Sequence, residues 1–351
     1  MQALLRRTQF LILALSALLA AAQAATASQA GFRRIDIPAS APGAAPTVVA
    51  LYYPTQDVER TVNMGPFTQR VAMGGKPEDK VKGLILLSHG TGGTEVGHTS
   101  LAEGLARQGY LVAALRHPGD NWQDLSLRQT SPQNYFTTRP QQASHVIDAL
   151  LKDPEWKDRI TSDAKGPRVG ALGHSAGGYT VLALAGARPD ASRLASHCSQ
   201  HLAEDPIFCG VGGNQAARPA GNLAPTTGNA AAPPLADARV RAVVALAPVG
   251  AVFSAESFAD VKVPVAIYSA DKDRFLVPRF HAEWVARNLP AAQFHHVPNA
   301  LHFAFMDTPT MPIATEDGDI ATDLPGFERQ EFLRQLQREI PAFFDKAFRD
   351  L

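Results

Sequence analysis

Residues 168–187, RVGALGHSAGGYTVLALAGA, change character at their centre. The stretch enters as an apolar run of strand type and leaves as a small-residue run of helical type. Between the two stand Gly173, His174, Ser175, Ala176, Gly177 and Gly178. Gly173-His174-Ser175-Ala176-Gly177 fits G-x-S-x-G, the pattern in which a serine sits on a strained strand-to-helix turn with its Oγ exposed above a sheet. The flanking glycines suit a turn so crowded that a side chain there would clash. The amide of Ala176, at the start of the expected helix, can donate to a developing oxyanion.

A serine of this kind needs a second oxyanion donor, a base and an acid. LILLSHGTGG, ending at Gly93, supplies a glycine loop after an earlier apolar run, and the amide of Thr91 is the candidate donor. No G-K-[ST] follows the loop, which argues against phosphate binding. In a turn of this class the order along the chain is Ser, acid, His. VPVAIYSADKDRFLVP offers Asp271 and Asp273 at the end of a strand, and Asp273 is the preferred acid. HHVPNALHFAF places His302 after the last strand, as the base. His174 is expected to pack. His89 and His117 are expected to be structural. His295 and His296 are adjacent on a strand, so they face opposite ways and cannot share a metal.

The rest of the chain alternates. FRRIDIP and TVVALYYP read as an edge hairpin, followed by a polar, Gly-containing stretch over about residues 55–80. KGLILLS, YLVAALR, PRVGALG, VRAVVALAP, VPVAIYSA and AQFHHVP read as strands. Helical patterns intervene, including one expected to begin near Pro140 and run to Leu151, and a C-terminal one that Pro341 is expected to kink or interrupt. Strands alternating with helices imply a mainly parallel α/β sheet with helices on both faces. About residues 188–237 break the rhythm. This Ala/Pro/Gly/Asn-rich insertion is expected to form an ordered cap around Cys198 and Cys209 and a looser second half.

The chain has 351 residues, net charge +0, 45% hydrophobic and 19% charged residues, which suits a globular domain. The balanced charge gives no electrostatic reason to expect nucleic acid or an anionic membrane as partner. Arg6 and Arg7, an apolar core FLILALSALLAAA and small-residue sites ending at Ala24 or Ala27 read as an export signal, implying a periplasmic or secreted protein with no retained span. In an oxidising compartment the two cysteines, Cys198 and Cys209, are expected to pair. They lack the partners that a zinc site would need.

The motifs LLSHGTGG, LAEGLARQGYLVAALRHPGDN, GHSAGGYTVLALAGA, VRAVVALAP and HFAF cover most of residues 82–305 and resemble the α/β-hydrolase superfamily. More narrowly, the chain resembles the bacterial predicted dienelactone hydrolases and platelet-activating-factor-acetylhydrolase-like proteins. Dienelactone hydrolases proper use a cysteine nucleophile, and this chain has Ser175 there, which favours a serine esterase. The resemblance implies an α/β-hydrolase fold of about residues 31–351, a small-molecule or lipid-like carboxylic ester as substrate, and no metal or organic cofactor. A monomer is expected. Two rivals stand beside this reading: a peptidase or amidase with the same Ser, acid and His, and a non-catalytic binding protein on the same scaffold. Trp122 and Phe303 are pocket or core aromatics.

Overall fold

Apolar runs with no polar alternation become strands covered on both faces, because only such strands bury every side chain. The computed structural model describes residues 28–40, 43–210 and 235–350. The expected export segment and residues 211–234 of the insertion lie outside the described residues. The elements in chain order begin with β1 (Gln29–Ile37), β2 (Thr47–Thr55), β3 (Arg60–Met64), β4 (Phe67–Met73) and β5 (Leu84–Ser88). Helix α1 (Thr99–Arg107), β6 (Leu111–Leu115) and α2 (Pro132–Lys152) follow. A two-residue hairpin, β7 (Ser162–Asp163) and β8 (Gly166–Pro167), precedes β9 (Val169–His174), α3 (Ala176–Leu184) and α4 (Ala191–His201). The chain then forms β10 (Val240–Leu246), β11 (Val265–Ala270), α5 (Ala282–Asn288) and β12 (Gln293–Val297). A small hairpin, β13 (Ala314–Thr315) and β14 (Gly318–Asp319), and α6 (Arg329–Asp350) complete it.

Ten strands form one sheet in the order β12-β11-β10-β9-β5-β6-β2-β1-β4-β3. Strands β5, β6, β9, β10, β11 and β12 pair in parallel, and β2 runs antiparallel to β6. Strand β5 lies between β6 and β9, so the loops leaving β5 and β9 diverge above the sheet. In open α/β sheets, ligands bind in the crevice at such a point. One face carries a core that includes Val146 and Ile147 of α2, Tyr179 of α3 and Val285 of α5. The other includes Leu101 and Leu105 of α1 with Leu336 and Phe344 of α6. Each such fully buried apolar side chain contributes about 1.5–3 kcal/mol.

Four expectations are corrected. The β1–β2 hairpin is internal, because β4 pairs with β1 and β3 with β4. The polar stretch after Thr55 therefore contains a second hairpin, whose β4 alternates buried and exposed positions along much of its length. Helix α2 begins at Pro132 rather than near Pro140: Ser131 caps it by accepting the Asn134 N–H at 3.2 Å, and Pro132 needs no N–H in the first turn. Finally, Pro341 does not interrupt α6, which continues to Asp350.

Candidate active site

Strand β9 ends at His174 and α3 begins at Ala176, which leaves Ser175 in the turn at φ 58° and ψ −118°. Residues other than glycine rarely adopt such a φ, and holding one there costs of order 1–3 kcal/mol. The surroundings enforce it. A Cβ at Gly173 would lie 2.1 Å from the Gly177 carbonyl oxygen, and one at Gly177 would lie 1.9 Å from that of Ser88. The turn is thus clamped between its own helix and the end of β5.

His302 opens a short 3-10 turn after β12. Its Nε2 lies 2.9 Å from Ser175 Oγ, and its Nδ1 lies 2.7 Å from Asp273 Oδ2. The other oxygen of Asp273 accepts the N–H groups of Phe275 at 2.8 Å and Leu276 at 2.7 Å, which fixes the carboxylate in its loop after β11. With Nδ1–H facing the carboxylate, Nε2 presents its lone pair to the serine hydroxyl. Asp273, His302 and Ser175 are all buried. Asp271, the alternative acid, instead pairs with Lys272 at 2.9 Å and His296 at 3.3 Å.

The His302 ring is also packed. Phe275 stacks on one side of the His302 ring at 5.2 Å, and the His174 ring lies 4.8 Å from it. His174 Nε2 donates to the His302 carbonyl oxygen at 3.0 Å, so this residue beside the serine packs and holds the His302 backbone. Burial lowers the pKa of His89 to about 4 and that of His98 to about 3, and it depresses His117 and His174 as well. The histidines around His302 are therefore neutral at pH 7.

Thr91 and Gly90 lie in the loop after β5. A Cβ at Gly90 would be 3.1 Å from Ser175 Cβ, so this backbone lies against the serine. A cavity of about 730 Å³ opens over Ser175, with Trp122 and Phe303 among its walls. Leu194 and Phe208 bring the described half of the insertion to the same cavity, and Met64, Pro66 and Phe67 bring the tip of the β3–β4 hairpin. Cys198 and Cys209 are joined, with their Cα atoms 5.3 Å apart, and the bond ties α4 to the helical residues 206–210 beyond it. Sequence reading missed Tyr135, Phe208 and Phe275. The Ser131-Pro132 start signal would have placed Tyr135 on a helix.

One cluster has the residue types of a metal site. His197, Asp205 and His281 bring their ligand atoms within 4.8 Å of one another. Both Nε2 atoms lie 2.8 Å from the same oxygen, Asp205 Oδ2. His281 Nδ1 accepts the Gly250 N–H at 3.1 Å, so its proton sits on Nε2 and no lone pair there faces the cluster. The donor set does not fit a cation. It is a hydrogen-bonded clasp from α4 to the segment between β11 and α5.

The "Alpha/beta hydrolase family" model matches residues 84–316, and the chain belongs to that family. No curated protein matches the chain in sequence. Among solved structures it is similar to a ferulic acid esterase from Streptomyces cinnamoneus, at 20% identity and a TM-score of 0.58, covering 93% of this chain and 92% of that one. It is also similar to a dienelactone hydrolase from Anabaena variabilis, at 13% identity and a TM-score of 0.49, covering 91% of this chain and 98% of that one. At these identities the likeness concerns the fold.

Proposed function

We propose that the protein is a periplasmic or secreted serine esterase. The observation that carries this reading is the unbroken path from Asp273 Oδ2 through His302 to Ser175 Oγ, with contacts of 2.7 and 2.9 Å, at the floor of the large cavity. His302 Nε2 takes the Ser175 proton as Oγ attacks the acyl carbonyl. Asp273 holds the Nδ1–H tautomer and stabilises the imidazolium that forms. The amides of Thr91 and Ala176 bind the oxyanion, each contributing about 3 kcal/mol. The imidazolium then protonates the departing alcohol. Water, deprotonated by His302, cleaves the acyl-enzyme, and Ser175 regains its proton.

The cavity has the size of sites that enclose drug-sized molecules. Aromatic walls at Trp122, Phe208, Phe275 and Phe303 favour an ester with an extended apolar or aromatic part. Export is supported by the signal-like segment ending at Ala24 or Ala27 and by the Cys198–Cys209 bond. Rates on p-nitrophenyl esters of graded acyl length, set against a matched anilide, test the activity. Ester turnover that exceeds anilide turnover and disappears in Ser175→Ala is expected. A faster anilide would make the protein an amidase. Mass spectrometry of the exported protein should find its N-terminus at Ala25 or Ser28, and an intact Met1 would contradict export with cleavage.

A further inference from the structure

The loop that carries Thr91 rests on a buried ion pair for which the proposed mechanism has no step. Arg139 of α2 and Asp120 are both 0% exposed and joined through Nη1 and Oδ2. Most of their other polar contacts reach one place. Arg139 Nη2 donates to the His89 carbonyl oxygen. Asp120 Oδ1 accepts the Gly92 N–H at 3.0 Å. Asp120 Oδ2 accepts the Tyr135 hydroxyl at 2.7 Å. The Tyr135 proton is thereby used, so its oxygen accepts the Thr91 hydroxyl at 3.1 Å. Two further contacts, from Arg139 Nη2 to Ser88 Oγ at 3.4 Å and from Arg139 Nε to Thr180 Oγ1 at 3.3 Å, reach the end of β5 and α3 behind the elbow.

The peptide between Gly90 and Thr91 is held as well. His89 Nε2 accepts the His117 N–H at 3.1 Å, so Nδ1 carries the ring proton and donates it to the Gly90 carbonyl oxygen at 2.6 Å. The Gly93 N–H reaches the same oxygen at 3.1 Å. In a trans peptide the N–H points opposite to the C=O. Fixing the Gly90 carbonyl on the His89 side therefore turns the Thr91 N–H the other way. A buried ion pair contributes little to stability compared with apolar packing of the same volume. This one grips the peptides on either side of a single N–H.

We propose that Asp120, Arg139 and Tyr135 are positioning residues that set the Thr91 amide for the oxyanion before substrate arrives. The proposal rests on the esterase reading above. Tyr135 is the member that can be altered gently, because Tyr135→Phe keeps the ring and removes only the hydroxyl.

The test starts with the wild type on a p-nitrophenyl ester. Failure to turn it over overturns the esterase reading itself, and this proposal with it. Given an active wild type, Tyr135→Phe should lower kcat about tenfold with KM within about twofold, because the loop's aim matters only once charge develops. Affinity for a trifluoromethyl ketone should fall by the same factor. Asp120→Asn should lower kcat further, by about a hundredfold. Thr91→Val should add nothing to Tyr135→Phe, since both break one chain of hydrogen bonds. Folded Tyr135→Phe with wild-type kcat overturns the proposal, whether or not Asp120→Asn folds. A raised KM at unchanged kcat overturns it too, by making Tyr135 a substrate contact.

Discussion

Ser175 stands at a backbone angle that its neighbours impose, and this is why a five-residue pattern was readable without the fold. The two glycines of the pattern are needed for contacts a few ångströms away, with Ser88 and with the helix itself. Gly177→Ala should destabilise the protein by more than about 2 kcal/mol, because the methyl group would overlap backbone that cannot move aside. A melting temperature equal to wild type would contradict this. The acid was harder to read, since Asp271 and Asp273 are two residues apart and equally polar. Only the neighbouring contacts separate them: Asp273 meets His302, and Asp271 meets Lys272 and His296. Asp273→Asn should reduce kcat by about 10³–10⁴-fold through loss of the imidazole tautomer. Asp271→Asn should change it by no more than about twofold. Steady-state kinetics on one ester compares them directly, and the reverse ranking would overturn the assignment of the acid.

Among the elements, α2 and α4 reach the site from outside the sheet. Helix α2 starts eight residues earlier than its apolar spacing suggested, and the added turns contain Tyr135 and Arg139, four apart and on one face. Their role could not be read from spacing, because it depends on Asp120 and on a loop almost fifty residues upstream. The β3–β4 hairpin was missed because it is short and half-exposed, although Phe67–Met73 carries partial alternation. Helix α4 is held by the disulfide and by the Asp205 clasp. The two histidine hydrogen bonds lower the Asp205 pKa to about 2 against the desolvation of its carboxylate. A depressed acid of this kind contributes stability that is complete above its unfolded value of 3.8 and is lost as pH falls through about 2. The difference is worth about 2 kcal/mol. Protease sensitivity of the segment around α4 should therefore rise between about pH 4 and pH 2. Asp205→Asn should be sensitive at pH 7 already. Equal protection of that variant at pH 7 would show that the clasp does not hold the cap.

For the whole molecule, alternation of strands and helices was enough to expect a mainly parallel sheet, because buried strands and crossover helices have different periods. The order of the strands was not legible, since it depends on which faces meet in three dimensions. That order places the loops after β5 and β9 side by side, and the ends of β11 and β12 bring Asp273 and His302 to them. The cavity is built from segments scattered over most of the described chain, so its walls were the least readable part. In the proposed function this assembly makes Ser175 a nucleophile. A fluorophosphonate probe followed by peptide mapping tests it most directly. One adduct is expected, on Ser175, absent from Ser175→Ala and slowed in His302→Ala. A folded wild type that takes no label, or takes it at another residue, would contradict it.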